Sequence, residues 1–381
     1  MTKTVMIITN EETHFYAHLL PIALAALAEG YQVSVVTAFS HHREKIETLG
    51  IKTISLPLNR KSLNPLQDAL YVYRLSQIVK THRPDILHLF TPKPILYGSL
   101  VGAVLRTPIV INTYVGMGTL YTNDRPLFKI LRGLINTLFR KLSSHKKMLF
   151  MTQNADDTHL LRALKVAPPN RIFTQCSVGV DLDCYKQSPL PQGPLVFALI
   201  SRMLQDKGVY EFVEAAKRLK QRGYGAEFWL VGSPDPGNRT SIPEEVLKQW
   251  DAEGHVKYLG YHKDMPALLQ QIHVSVLPSY REGLSRSLLE AAACGRAIVT
   301  TDAPGGRDLI THEVNGLLVP PKDATALEQA MERLIENPHE VTTFADAIHA
   351  HVISTYEMGA IGRKMIAYYR DVPSPLYHKA P

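Results

Sequence analysis

Long apolar runs are missing from this chain of 381 residues. Nothing approaches the ~20 consecutive apolar residues that a helix needs to cross a bilayer, so no membrane-spanning helix is expected. Cysteine is scarce: Cys176, Cys184 and Cys294 are the three present. An odd number without metal-ligand spacing argues against a disulfide framework and points to reduced thiols in the cytoplasm. No His/Cys ligand set stands out, so no metal and no cofactor site is expected. The opening MTKTVMIITN enters a strand-like run too soon to hold a signal peptide. Zinc-finger, homeodomain and RNA-recognition signatures are absent too, which argues against a nucleic-acid partner.

What is present is the composition of an ordinary globular protein, 45% hydrophobic and 20% charged. The length exceeds what one core usually organises, so two domains are expected. Apolar runs of strand length (TVMIIT, YQVSVVTA, PDILHLF, PIVINTY, LVFALIS, AEFWLVG) alternate with helix-length amphipathic stretches. That alternation predicts α/β architecture with parallel, doubly wound sheets. Ser188 to Pro194, with three prolines and a glycine, reads as a linker. It separates domain 1–187 from domain 195–356. Charge is uneven across it: 22 Lys and Arg face 12 Asp and Glu up to Leu190, against 20 and 23 from Pro191 onward. A basic first half suits an anionic surface or ligand.

The most informative stretch is Val274 to Thr301, VSVLPSYREGLSRSLLEAAACGRAIVTT. VSVL reads as a buried strand, Pro278 and Gly283 as loop, Ser285 as an N-cap, RSLLEAAAC as helix, Gly295 as its C-cap and AIVTT as the next strand. A strand–loop–helix N-terminus offers free N–H groups and a positive dipole end to a phosphate. Glu282 beside it and Glu290 deeper on the helix could hold sugar hydroxyls. Arg202 and Lys207, in the loop after LVFALIS, could neutralise a diphosphate. Gly232 and Leu259 fall at the ends of the next two strands. In the first half, Asn10 to Thr13 reads as a polar loop after the first strand. Lys93 lies in a proline-flanked loop (TPKP), Gly116 in a loop after PIVINTY, and His88 reads as a core histidine.

EGLSRSLLEAAACGRAIVTTDAPGGRDLI resembles the E-x7-E signature and Gly-rich turn of retaining family-four glycosyltransferases, and the resemblance extends over most of the chain. It implies a GT-B fold, two Rossmann-like domains facing across a cleft, with the second binding a nucleotide-sugar. Glu290 matches the acid that holds the ribose, and Glu282 the acid near the transferred sugar. Gly283 and Leu284 match the backbone facing the diphosphate, and Arg202 and Lys207 the family's cationic pair. Leu259 falls near the base. Val115 stands where many relatives carry a histidine, which leaves the donor sugar open. The TPKP segment is similar to the subgroup acting on undecaprenyl-diphosphate-linked sugars, and places Lys93 and Gly116 on the acceptor or sugar side. A C-terminal helix, 357–372, is implied to pack back on the first domain.

The resemblance implies a retaining, metal-independent transferase. It would move a hexose or N-acetylhexosamine from a UDP-sugar to a lipid-linked or glycan acceptor in surface polysaccharide assembly. A GT-B sugar-nucleotide epimerase and a non-catalytic nucleotide-sugar-binding protein are the alternatives. Arg125 to Lys147 carries seven Lys and Arg and no acid. At ~100° per residue, Lys129, Arg132, Asn136 and Arg140 share a stripe opposite a leucine-rich face. The leucines are expected to pack inward and the basic stripe to meet an anionic membrane surface, giving a cytoplasmic protein peripherally bound at the inner membrane face.

Overall fold

The computed structural model describes residues 2–59, 64–122, 125–143 and 148–370. It divides into two compact units, 1–178 with 358–381, and 179–357. In the first unit seven parallel strands form one sheet. They are β1 (Thr4–Glu11), β2 (Gln32–Ala38), β3 (Lys52–Ser55), β4 (Ile86–Phe90), β5 (Ile109–Tyr114), β6 (Met148–Thr152) and β7 (Ile172–Thr174), in spatial order β3-β2-β1-β4-β5-β6-β7. Alternate residues of β1 feed two cores. Met6 and Ile8 face the side covered by Tyr71, Leu75, Ile95 and Phe139. Val5 and Ile7 face Phe15, Ile22, Met365 and Tyr369. A strand buried on both faces reads as a continuous apolar run, which is why TVMIIT is so legible.

The helix Met358–Arg370 lies against Leu20–Ala28, close enough that a Cβ on Gly362 would come 2.8 Å from the Ala25 Cβ. Its Tyr369 hydroxyl meets His88 Nδ1 at 2.6 Å, while His88 Nε2 meets Thr113 Oγ1 at 2.8 Å. Burial lowers the His88 pKa to about 3, so this is a neutral core histidine.

The second unit holds six parallel strands: β8 (Val196–Ile200), β9 (Glu227–Val231), β10 (Lys257–Gly260), β11 (Val274–Leu277), β12 (Ala297–Thr301) and β13 (Leu317–Val319). Their order is β10-β9-β8-β11-β12-β13. The proline-rich stretch 188–194 has no regular structure, yet it belongs to this unit rather than to a boundary. The fully buried Arg296 donates to the Ile272, Cys294 and Pro189 carbonyls at 3.1, 2.9 and 3.1 Å, and to the Ser188 carbonyl and hydroxyl. His273 Nε2 meets the Pro191 carbonyl at 3.0 Å. A guanidinium taken out of water needs all its donors answered, and this stretch of chain supplies three of the acceptors, from Ser188 and Pro189. The three cysteines are free thiols.

Two expected elements of the first unit, besides the Lys93 loop taken up below, are corrected. Asn10 to Thr13 is not a loop: β1 continues to Glu11 and a helical segment starts at Glu12. The basic helix forms over Pro126–Leu142 with Ile135 and Leu142 packed on the core and Lys129 and Arg140 exposed, as the wheel implies, but it is rotated so that part of the leucine face points outward and part of the basic stripe inward. Asn136 and Phe139 are buried, whereas Leu127, Ile130, Leu131 and Leu134 are exposed, three of them above 60%. Phe139 packs edge-on against Phe150 with ring centroids 5.4 Å apart. The Tyr121 hydroxyl donates to Asn136 Oδ1 at 2.8 Å, and Arg132 Nη1 donates to the Tyr121 carbonyl at 2.9 Å. One aromatic anchor and two polar ties outvote four leucines in setting the inward face. Lys146 and Lys147 lie outside the described residues.

Candidate active site

In the second sheet the chain lays β8, β9 and β10 outward in one direction, then returns to place β11 on the other side of β8. Loops leaving the carboxyl ends of β8 and β11 therefore diverge, and such a reversal point is where open α/β sheets bind ligands. The β8 loop carries Arg202 and Lys207; the β11 loop carries Glu282. Lys207 Nζ is ion-paired directly with the Glu282 carboxylate, and the two side chains are only 17% and 16% exposed. Around them the loops are stitched together. The Tyr280 N–H and the Ser279 hydroxyl both donate to the Asp206 carbonyl, at 2.9 and 3.1 Å. Gly208, at φ +73°, leaves no room for a side chain, because a Cβ there would sit 2.1 Å from the Pro278 carbonyl oxygen.

The Glu282 loop is held from its other side by the Gly-rich turn. The Glu282 N–H donates to the Pro304 carbonyl at 2.9 Å. Gly305, at φ +85°, approaches so closely that a Cβ would lie 2.7 Å from the Glu282 Cβ and 2.9 Å from the Gly283 carbonyl oxygen. Gly283 and the buried Leu284 then lead to Ser285, whose side chain caps the helix Arg286–Ala293 at the Leu288 N–H. Glu290 follows on this helix, 7% exposed. Burial pushes its carboxyl above the ordinary range, while Arg286 and a hydrogen bond from Tyr185 oppose the rise. Arg286 Nε lies 2.5 Å from Glu290 Oε1. The result is a dry, preorganised acceptor of hydrogen bonds.

Arg202 is more than half exposed and bonded through Nη1 to Asp235 Oδ2 at 2.8 Å. The Gly232 N–H donates to the Gly260 carbonyl at 2.7 Å, and a Cβ on Gly232 would lie 1.8 Å from the Ser201 carbonyl oxygen. The carboxyl ends of β8, β9 and β10 are thus pinned together, with Leu259 half-buried in β10. Of the residues singled out from sequence, Lys207 and Glu282 are in contact; Arg202 and Glu290 are engaged by Asp235 and Arg286. Those two partners were missed, as were Tyr185, Asp206 and Tyr280. Arg286 was readable, one turn before Glu290 on a helix; the others are brought in across the fold.

The first sheet has its own reversal point between β1 and β4. After β1 comes the buried Glu12. Burial opposes its ionisation, but the Ser40 hydroxyl and the His41 and His42 N–H groups donate to it and bring its pKa down to about 2. After β4, Thr91 holds φ 71° and ψ 151°, a conformation that costs a non-glycine residue about 1–3 kcal/mol and clusters at functional sites. Lys93 is not in a loop: the helix Pro92–Val104 starts before it, because proline suits a first helical turn. Its Nζ bonds Asp68 Oδ1 at 2.8 Å and the Asn59 carbonyl at 3.1 Å. Gly116 follows β5, half-buried, with open space where a Cβ would stand.

Residues 6–154 match the family described as glycosyl transferase 4-like, and residues 194–337 the family glycosyl transferases group 1. A Campylobacter jejuni enzyme, N,N'-diacetylbacillosaminyl-diphospho-undecaprenol alpha-1,3-N-acetylgalactosaminyltransferase, is 31% identical over 336 residues, 84% of this chain and 86% of that one. The chain belongs to the family-four glycosyltransferases. This glycosyltransferase is also similar to the Escherichia coli UDP-Gal:alpha-D-GlcNAc-diphosphoundecaprenol alpha-1,3-galactosyltransferase, at 22% identity over 75% of this chain and 76% of that one. Among solved structures, Anabaena HepE in complex with UDP and glucose superposes with a TM-score of 0.77, 18% identity, and 96% and 99% coverage. The sucrose-phosphate synthase of Thermosynechococcus elongatus gives 0.76, 18%, 97% and 98%. Both likenesses establish the GT-B fold of the glycosyltransferase.

Proposed function

We propose that this glycosyltransferase is a retaining, metal-independent enzyme that uses a UDP-sugar, a hexose or N-acetylhexosamine, and acts on a lipid-linked acceptor in surface polysaccharide assembly. The observation that carries the reading is the Lys207–Glu282 pair at the β8/β11 reversal point, with Arg202 on the same loop as Lys207. Arg202, Lys207 and the N–H groups at Gly283 and Leu284 are aimed where charge grows on the departing diphosphate. Glu290 takes the ribose hydroxyls, Gly232 and Leu259 border the nucleotide, and Glu282 lies toward the transferred sugar. Lys93 and Gly116 belong to the acceptor or sugar side. The bond from the anomeric carbon to the diphosphate breaks and the bond to the acceptor oxygen forms on the same face. The acceptor proton passes to a donor phosphate oxygen, so no protein nucleophile is required.

A lipid-linked acceptor is supported by relatives whose names specify undecaprenyl-diphosphate-linked sugars. A UDP donor is supported by the name of one of them and by the neighbour bound to UDP. No helix among the described residues is long and apolar enough to cross a membrane, so a lipid-linked acceptor would be reached by peripheral binding at the cytoplasmic face. The test is release of UDP that depends on acceptor, with the product anomer read by NMR and the assay repeated in EDTA. Transfer with retention in EDTA is the expected outcome. Loss of activity restored by a divalent ion would end the metal-independent reading, and an inverted product the retaining one.

A further inference from the structure

The helix Pro126–Leu142 presents an apolar face to solvent. Leu127, Ile130, Leu131 and Leu134 fall on one side at helical spacing, and all four are exposed. The opposite side is committed to the fold through Asn136, Phe139 and Arg132. Clusters of this size on a monomer surface mark an interaction site. Lys141 falls on the same side as these four; Lys129 and Arg140 lie well round toward the packed side but are exposed, Arg140 with its Nε on the Lys165 carbonyl at 3.2 Å, and no acid occurs from Arg125 to Lys147. A helix with leucines outward, cations along its length and no acid is what lies in the interfacial layer of an anionic membrane. A second copy of the chain fits less well, because pairing two such faces brings like charges together.

We propose that Leu127, Ile130, Leu131 and Leu134 insert into the interfacial layer of an anionic phospholipid bilayer, with Lys141 at headgroup level. This rests on the reading of the protein as peripheral to a membrane and changes its mode: the leucines enter lipid, and the cations assist. Basic-stripe binding, as the helical wheel alone suggests, would put Arg132 and Asn136 toward lipid, where the fold has already used them.

The test compares the full chain with a variant carrying L127Q, I130Q, L131Q and L134Q, floated with phosphatidylglycerol/phosphatidylethanolamine vesicles across a salt series. All four side chains are exposed, so the variant is expected to keep its circular dichroism and its stabilisation by UDP. Wild-type binding should weaken with salt but persist at about 0.5 M, since screening does not reach apolar contacts. The variant should bind at least about tenfold more weakly at every salt. The fluorescence of a separate Leu131→Trp variant should be quenched, beyond any loss seen in wild type, by lipids brominated on their acyl chains.

Equal binding by wild type and quadruple variant, or binding that salt abolishes completely, would overturn insertion while leaving peripheral binding intact. Absence of wild-type binding would overturn both. Vesicle binding by the Leu131→Trp variant without added quenching, or a wild-type dimer that the quadruple variant makes monomeric without vesicle binding, would also overturn it. Failure of UDP to stabilise either protein would instead strike the donor reading and leave the vesicle results standing.

Discussion

Replacing Glu290 by Gln keeps the side chain's volume and removes its charge. In the structure this carboxylate is 7% exposed, with Arg286 Nε at 2.5 Å. A hydrogen bond to a charged group is worth about 1.5–3 kcal/mol, so losing it to the ribose should weaken donor binding roughly 10- to 150-fold. Turnover should change far less, because the ribose is held alike in ground and transition states. The free protein should behave oppositely. Burial lifts the Glu290 pKa, so the folded state takes up its proton more readily than the unfolded one. Wild-type stability therefore rises as pH falls through the range just above the ordinary carboxylate value, and the Gln variant should lack that rise. Arg286, about a third exposed, can hydrate when its partner is neutral. Thermal unfolding with and without UDP reads both effects. A Gln variant that binds UDP as tightly as wild type would refute the assignment of Glu290 to the ribose.

Lys207→Ala should lower kcat by about 10²–10³ with a smaller change in donor KM, as expected for a charge that acts on the leaving diphosphate; steady-state kinetics checks this. Gly305→Ala drives a Cβ to 2.7 Å from Glu282 and should lower kcat/KM at least about tenfold by displacing that loop. Gly254→Ala is the control in the same assay, since φ there is +75° with nothing within 4 Å. Glu12→Gln should cost the first unit up to roughly 3 kcal/mol at neutral pH, the worth of a carboxyl moved from 4.5 to about 2. A depressed carboxyl stabilises above its unfolded value, so the gap between variant and wild type in urea unfolding should close as pH falls from about 4.5 toward about 2.

Much of the fold was legible because parallel strands buried on both faces leave uninterrupted apolar runs, as in β1, β4 and β8. β7 escaped reading because Ile172–Thr174 is too short for a period. The unit around 274–301 was legible to its caps, since Ser285 and Gly295 are local signals for helix ends. The Pro-rich stretch was legible as irregular backbone but not as part of the second unit, because Arg296 grips it from over a hundred residues away. For the basic helix, the wheel showed which residues share a face. It could not show which face packs, and a phenylalanine with an Asn–Tyr hydrogen bond decided that. At the site, the residue types marked Lys207, Glu282 and Glu290, but the partners that orient them come from other strands. Lys93 was placed by its prolines in a loop, although proline equally opens a helix.

The central claim is sugar transfer at the β8/β11 reversal point, and one measurement bears on it most directly. UDP release from a panel of UDP-hexoses and UDP-N-acetylhexosamines is followed with and without polyprenyl-diphosphate-linked sugar, for wild type and for Lys207→Ala. The account predicts release with at least one donor, dependent on acceptor, coupled one-to-one to a lengthened lipid-linked product and nearly lost in the variant. Conversion of a UDP-sugar to its epimer without acceptor, or full transfer by the variant, would contradict it.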